Sequence, residues 1–162
     1  MNIKSAINKL FRIDPSMQPN LCYAQNGEDL ILNRFLDNKK EGFYIDVGAH
    51  HPIRFSNTHF FYKKGWKGIN IDAMPGSMEL FKKVRKRDIN IETGIAAHKG
   101  KLTYYQFNDP ALNTFDLKEA NLKINRNYKL INSLDLDVDR LENILEKYIN
   151  INQKIDFMNI DV

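Results

Sequence analysis

"GFYIDVGAHHP", residues 42–52, decides how this chain folds. Phe43, Tyr44, Ile45 and Val47 read as a buried strand, yet Asp46 sits among them. Gly48 and the pair His50–His51 then form a sharp turn, and Pro52 ends the run. A carboxylate near the end of a core strand, just before a turn opened by glycine, suits a ligand site at the rim of a sheet. The alternative for such an acid is to cap the helix that follows.

Downstream, strand-like and helix-like runs alternate. "SNTHFFYKKGW" predicts a helix capped by Ser56 or Asn57 and stopped at Gly65. "KGINIDAMP" predicts a second strand ending in Asp72. "GSMELFKKVRKRD" predicts a helix, with Met78, Phe81 and Val84 at spacings of three. "INIETGIAA" and "KGKLTYYQF" predict a third and a fourth strand, and "KLINSLDL" a further one. Residues 108–128 are polar and mixed, which predicts loop with some helix. In "DVDRLENILEKYI" an apolar stripe of Leu141, Ile144, Leu145, Tyr148 and Ile149 predicts the clearest helix, with Asp139 and Glu142 at capping-box spacing. "KIDFMNIDV" is a last strand that carries Asp161.

Upstream, Asn26 is placed to cap a helix whose first turn holds Glu28 and Asp29 and whose Leu32, Phe35 and Leu36 turn to the core. Ile3, Ile7, Leu10 and Phe11 recur at helical spacing before Pro15 and Pro19 break the chain. Residues 1–22 therefore read as an N-terminal helix and linker, and residues 23–162 as one domain. The strands read as apolar on both faces. That pattern predicts an α/β fold: a Rossmann-like, doubly wound, mainly parallel sheet with helices on both faces.

Composition narrows the function classes. The 162 residues, 43% hydrophobic and 27% charged, suit one packed domain, and the net charge of +4 demands no polyanionic partner. The basic run "KKVRKRD", residues 82–88, reads as a solvated helix end rather than a nucleic-acid surface, since no aromatic platform accompanies it. Cys22 is the single cysteine, no secretory leader is legible, and no run approaches the ~18 apolar residues of a membrane span. A cytoplasmic enzyme, without stable membrane insertion, is the expectation. His50, His51, His59 and His98 lack a ligand spacing, so no metal is assigned.

Three predicted strands end in an aspartate: Asp46, Asp72 and Asp161. On a parallel sheet they would converge on one rim. Asp72 lies 24 positions beyond Gly48, near the ~20-residue separation at which an acid grips ribose hydroxyls. A dinucleotide is disfavoured, because His50 and Ile53 stand where G-x-G-x-x-G needs its second and third glycines. A nucleoside ligand without phosphate fits better, and S-adenosylmethionine is the obvious one.

"YAQNGEDLIL", "GFYIDVGAHHP", "SNTHFFYKKGWKGINIDAMP" and "IDFMNIDV", in that order, resemble the N-terminal part of FkbM-type, S-adenosylmethionine-dependent methyltransferases. The resemblance implies an enzyme that moves a methyl group to a hydroxyl of a sugar or another small or glycan acceptor. It implies that Asp46, Gly48 and Ala49, with His50 in the same turn, lie around the methionine part of the cofactor. Asp72 would bind the ribose and Ala73 the adenine, with Ile95 and Ala96 of "GIAA" on the adenine's other side. Asp161 would stand near the transferred methyl as the candidate base or electrostatic partner. Gln25 and Glu28 match an N-terminal motif. Of His50 and His51, at most one would face the site. The family's last strand usually runs on into glutamate and glycine, whereas nothing follows Val162 here. The expectation is a sheet incomplete at its C-terminus, with an open edge available to a second copy. The alternative reading is a non-catalytic nucleoside-binding or interaction module.

Overall fold

A computed structural model describes residues 21–162; the predicted helix between Ile3 and Phe11 lies outside them. Four parallel strands form the main sheet: β1 (Phe43–Val47), β2 (Lys67–Asp72), β3 (Ile89–Glu92) and β7 (Phe157–Ile160), in the order β3-β2-β1-β7. Helices cover both faces, so the α/β, Rossmann-like reading holds. The strand order doubles back between β1 and β7, and that is where such sheets open a crevice beyond their carboxyl ends.

The strands alternate, which corrects the reading of them as apolar on both faces. One face carries Ile45 and Val47 of β1, Ile69 and Ile71 of β2, and Ile89 and Ile91 of β3. Ile144, on helix α5 (Leu141–Leu145), closes this aliphatic layer. The other face is aromatic and polar. Tyr44, Phe61 and Trp66 pack there, with Phe157, Leu32 and Leu36 against them. Helices α1 (Glu28–Phe35) and α2 (His59–Lys64) supply that cover.

Register then produces an unusual row. Asn90, Asn70, Asp46 and Asn159 are direct neighbours across β3, β2, β1 and β7. Four polar side chains thus cross the full width of the sheet, the central two, Asn70 and Asp46, buried and the outer two half-buried. Buried polar groups must find partners. The principal partner is Arg85, just past helix α3 (Met78–Val84) and 0% exposed. Its Nε donates to Asp88 at 3.0 Å; Nη1 donates to the Pro52 carbonyl at 3.0 Å and meets His59 Nδ1 at 3.1 Å. Nη2 donates to Thr58 Oγ1 at 2.6 Å and to the Tyr44 hydroxyl at 3.1 Å. Asp88 in turn accepts from Tyr44 Oη, the Gly68 N–H and Asn70. Burial, opposed by Arg85 and assisted by Asp88, pushes the Tyr44 hydroxyl's pKa far up, so it serves as a neutral donor. The basic run is only in part the solvated helix end that the sequence predicts: Lys82, Lys83, Lys86 and Arg87 are exposed, but Arg85 is the centre of the core network.

Several local expectations change for tertiary reasons. The third predicted strand breaks at Thr93: β3 stays in the main sheet, while β4 (Gly94–Ile95) joins a second one. The predicted fourth strand, β5 (Gly100–Phe107), is antiparallel to β6 (Leu130–Asp139) in that second sheet, ordered β4-β6-β5. Residue 27, a glycine at φ 88°, precedes α1, so Asn26 is not its cap. Thr58 precedes α2, although Ser56 Oγ accepts from the His59 N–H at 3.1 Å. Phe35 and Tyr148 are exposed rather than in the core. Arg140, not Asp139, occupies the position before α5, and Glu142 pairs with Arg140 instead of closing a capping box. Helix α4 (Leu117–Asn125) follows a short 3₁₀ turn at Pro110–Leu112 and is capped by Asp116, whose carboxylate accepts from the Lys118 and Glu119 N–H groups.

An uncompensated buried charge is costly, so the Arg85–Asp88 pair sets the stability of the sheet. Replacing Asp88 by Ala is expected to lower the unfolding free energy by about 3–5 kcal/mol, measured by urea unfolding. A loss below ~1 kcal/mol, the scale of exposed pairs, would contradict the network's role.

Candidate functional site

A cleft of about 820 Å³ opens beyond the carboxyl ends of the main sheet. Its floor and rim can be read from the register. Val47 pairs with Ile71 and with Ile160. One step further, Gly48 stands level with Asp72 on one side and Asp161 on the other. Asp46 lies two residues deeper, in the row of asparagines. The three acids therefore border one cleft, as the strand pattern predicts, but on two levels: Asp72 and Asp161 at the rim, Asp46 in the floor.

Each is held differently. Asp72 Oδ2 accepts from the His50 N–H and Oδ1 from the Met74 N–H, both at 2.8 Å. Backbone thus aims this carboxylate while leaving acceptor capacity on both oxygens. Asp161 is exposed, and its N–H continues the β7–β1 ladder to the Val47 carbonyl at 3.0 Å. Asp46 is 2% exposed. It accepts from Thr58 Oγ1 at 2.6 Å and from Asn159 Nδ2 at 2.8 Å. Burial pushes its pKa up, against the pull of Thr58, Asn159 and Arg85. Asn57 extends the chain, donating to Asn159 Oδ1 at 2.9 Å.

Gly48 has φ 76°, and a Cβ there would overlap the Asp161 carbonyl. The glycine read as room for a ligand is first a requirement of the neighbouring strand: it lets β7's continuation close against the β1 turn. Ala49 borders the cleft and packs on Met78 and Phe81. His50 also lines it, at φ 51°. The His51 ring faces elsewhere, since its Nδ1 accepts from the Ile53 and Arg54 N–H groups at 3.1 and 2.9 Å. Ala73, Ile95 and Gln25 line the cleft as well.

Ala96 and Glu28 are not brought to the cleft. The Ala96 N–H donates to the Asp139 carbonyl, where β4 lies along β6. Glu28 is exposed and bonds to Asn26 through the Asn26 N–H at 2.8 Å. Its neighbour does the positioning. Asp29 is fully buried and accepts from the Tyr23 and Ala24 N–H groups, which fastens the segment that carries Gln25.

The opposite wall comes from the second sheet and α4. Tyr104, Asn113, Thr114, Phe115, Asp116 and Glu119 line it. The Tyr104 and Phe115 rings stand 4.7 Å apart, and burial pushes the Tyr104 hydroxyl up to about 12. Phe55, at φ 58° and 53% exposed, completes the mouth. None of these wall residues was legible as a site, because nothing local ties residues 104–119 to the turn at residue 48. The floor did leave a trace. Asn70–Ile71–Asp72, Asn90–Ile91–Glu92 and Asn159–Ile160–Asp161 repeat one asparagine–isoleucine–acid triplet at three strand ends, so floor and rim recur together.

Among the described residues, no three His, Cys, Asp or Glu side chains converge on a metal-sized site, and no helix is long and apolar enough to cross a membrane. The arrangement offers an aimed carboxylate, a second exposed carboxylate across a glycine, and a buried carboxyl group beneath them.

The model of the methyltransferase FkbM domain matches residues 46–162, and the chain belongs to that methyltransferase family. No curated protein and no solved structure matches it.

His59, buried against Arg85, makes the stability of the fold depend on pH. Burial, then Arg85, hold its pKa down at about 4, against an ordinary value near 6.5. The unfolded chain binds a proton that the folded chain refuses, so stability falls as pH drops from about 6.5 to about 4. The His59→Asn variant, which retains an acceptor for Arg85, is expected to have a flatter stability profile across that window. Denaturant melts at several pH values measure the difference, and parallel profiles would contradict it.

Proposed function

We propose that this cleft binds S-adenosylmethionine and that the chain transfers its methyl group to a hydroxyl of a small or glycan acceptor. One observation carries the reading: Asp72 and Asp161 flank Gly48 at the rim of a single cleft, in a chain of the FkbM methyltransferase family. The residues fit the cofactor chemically. Both oxygens of Asp72 are oriented by backbone N–H groups and each can accept one ribose hydroxyl. Ala73 and Ile95 offer small and apolar surface for a purine, and Tyr104 and Phe115 offer aromatic surface on the opposing wall. The turn at residues 48–50 is too bulky for the close approach of a pyrophosphate, which favours a nucleoside without phosphate.

S-adenosylmethionine supplies an electrophilic methyl on a sulfonium, so the cofactor carries the hard chemistry. The protein's task is to hold an acceptor hydroxyl in line with that methyl and to take its proton. Asp161 is the residue for the proton: it stands at the rim, exposed, across Gly48 from the ribose-binding acid. Gln25 and Asn57 line the same cleft and are the polar groups on hand to orient the acceptor.

Titration calorimetry of the chain with S-adenosylmethionine tests the reading. Binding is expected for the native chain, with a loss of about ten- to a hundredfold in Asp72→Ala, the scale of hydrogen bonds to a charged group. The Asp161→Asn variant is expected to keep cofactor affinity while slowing methyl transfer by about 10²-fold or more. No heat at millimolar cofactor would overturn the reading.

A further inference from the structure

The buried layer beneath the cleft holds one carboxyl group without a charged partner among the described residues. Arg85 and Asp88 are both fully buried in their side chains and neutralise each other at 3.0 Å. Tyr44 and His59, the other titratable groups on Arg85, are held neutral at physiological pH. Asp46 is the remaining buried acid of this layer, and its two hydrogen-bond partners, Thr58 and Asn159, are neutral. No ion pair reaches it among the described residues. Burying a carboxylate against neutral donors alone is costly. Yet a cation stands one hydroxyl away: Arg85 Nη2 donates to Thr58 Oγ1, and that same oxygen donates to Asp46 Oδ2, both at 2.6 Å. The hydroxyl can serve both only in one orientation, with its proton on the Asp46 side.

We propose that Arg85 is a positioning residue for the cleft: through the Thr58 hydroxyl it aims Asp46, while its own charge is taken up by Asp88, so that Asp46 is left without a cationic partner of its own and meets a cationic group of the ligand. The inference rests on the reading of the cleft as a site for S-adenosylmethionine, whose amino-acid end carries an ammonium. It assigns a functional part to a residue that the sequence presents as one of five surface cations. It also explains why Arg85 is kept from pairing with Asp46 directly. A direct pair would cancel the charge in the floor. Relay through a hydroxyl transmits orientation and leaves the carboxyl without a cationic partner.

The test compares two ligands that differ only at the amino-acid end. S-adenosylhomocysteine has the ammonium; 5′-methylthioadenosine has the same nucleoside and thioether without it. Their affinities are measured for the native chain and for the Thr58→Val, Thr58→Ser and Asp46→Asn variants, with thermal unfolding recorded for each. The expected result is that Thr58→Val weakens S-adenosylhomocysteine about tenfold or more and leaves methylthioadenosine within about twofold. Thr58→Ser is expected to restore the affinity, and Asp46→Asn to reproduce the selective loss. A purely structural role would lower both ligands together, and a loss of the same size for both ligands in Thr58→Val or in Asp46→Asn would overturn the proposal. Should Thr58→Val not fold, Asp46→Asn and Thr58→Ser decide: an unselective Asp46→Asn, or a Thr58→Ser chain that folds but loses the ammonium preference, overturns it. A native chain that binds neither ligand would instead remove the cofactor reading itself, and the proposal with it. A native chain that binds both equally removes the proposal alone.

Discussion

A single buried guanidinium constrains the rest of this structure. Arg85 has left water completely, and its N–H groups find acceptors in four parts of the chain. Those acceptors are a strand side chain (Tyr44), the turn before α2 (Pro52), the start of α2 (Thr58 and His59) and the residue that leads into β3 (Asp88). Removing a cation from water costs several kcal/mol unless all of these are in place. The sheet, the turn and α2 therefore assemble together or not at all. The same requirement accounts for the asparagines at positions 70 and 90, which bond to Asp88 and to the backbone around Arg85.

The site inherits its two levels from this arrangement. Strand periodicity puts residues 46 and 48 on the same face, and pairing sets Asp46 beside asparagines but Gly48 beside acids. The floor is a desolvated, hydrogen-bonded layer with its geometry locked from below. The rim is partly wet, and its carboxylates are aimed by backbone. The rim presents carboxylates with free acceptor positions, and the floor presents a carboxyl group without a charged partner among the described residues.

The wall facing that rim exists because the chain changes sheets. At Thr93 the backbone leaves the main sheet, and from the next residue, Gly94, it runs along β6. Without that step β4 would simply lengthen β3 and the cleft would be open. The step also places Phe115 against the Gly94 backbone, where a Cβ would collide with the ring. Tyr104 and Phe115 thus close the side of the cleft opposite the acids, and the change of sheet converts a rim into an enclosure.

Much of this was legible in residue order. The alternation of strands and helices, the acid at the end of β2, the acid after β7 and the glycine between them follow from local patterns: apolar runs bounded by turn residues. So does the split between His50 at the site and His51 away from it, since adjacent side chains diverge. The triplet of asparagine, isoleucine and acid at three strand ends carried the two-level site in plain view. What order alone did not decide is partnership. Whether Arg85 is solvated or buried, whether Asp46 meets a ligand or a hydroxyl, and which residues face the rim from residues 104–119 depend on contacts between segments tens of residues apart. A charged side chain has one identity in sequence and two opposite fates in structure. Which fate it meets is set by whether acceptors from elsewhere arrive to replace its water, and only the tertiary fold supplies them.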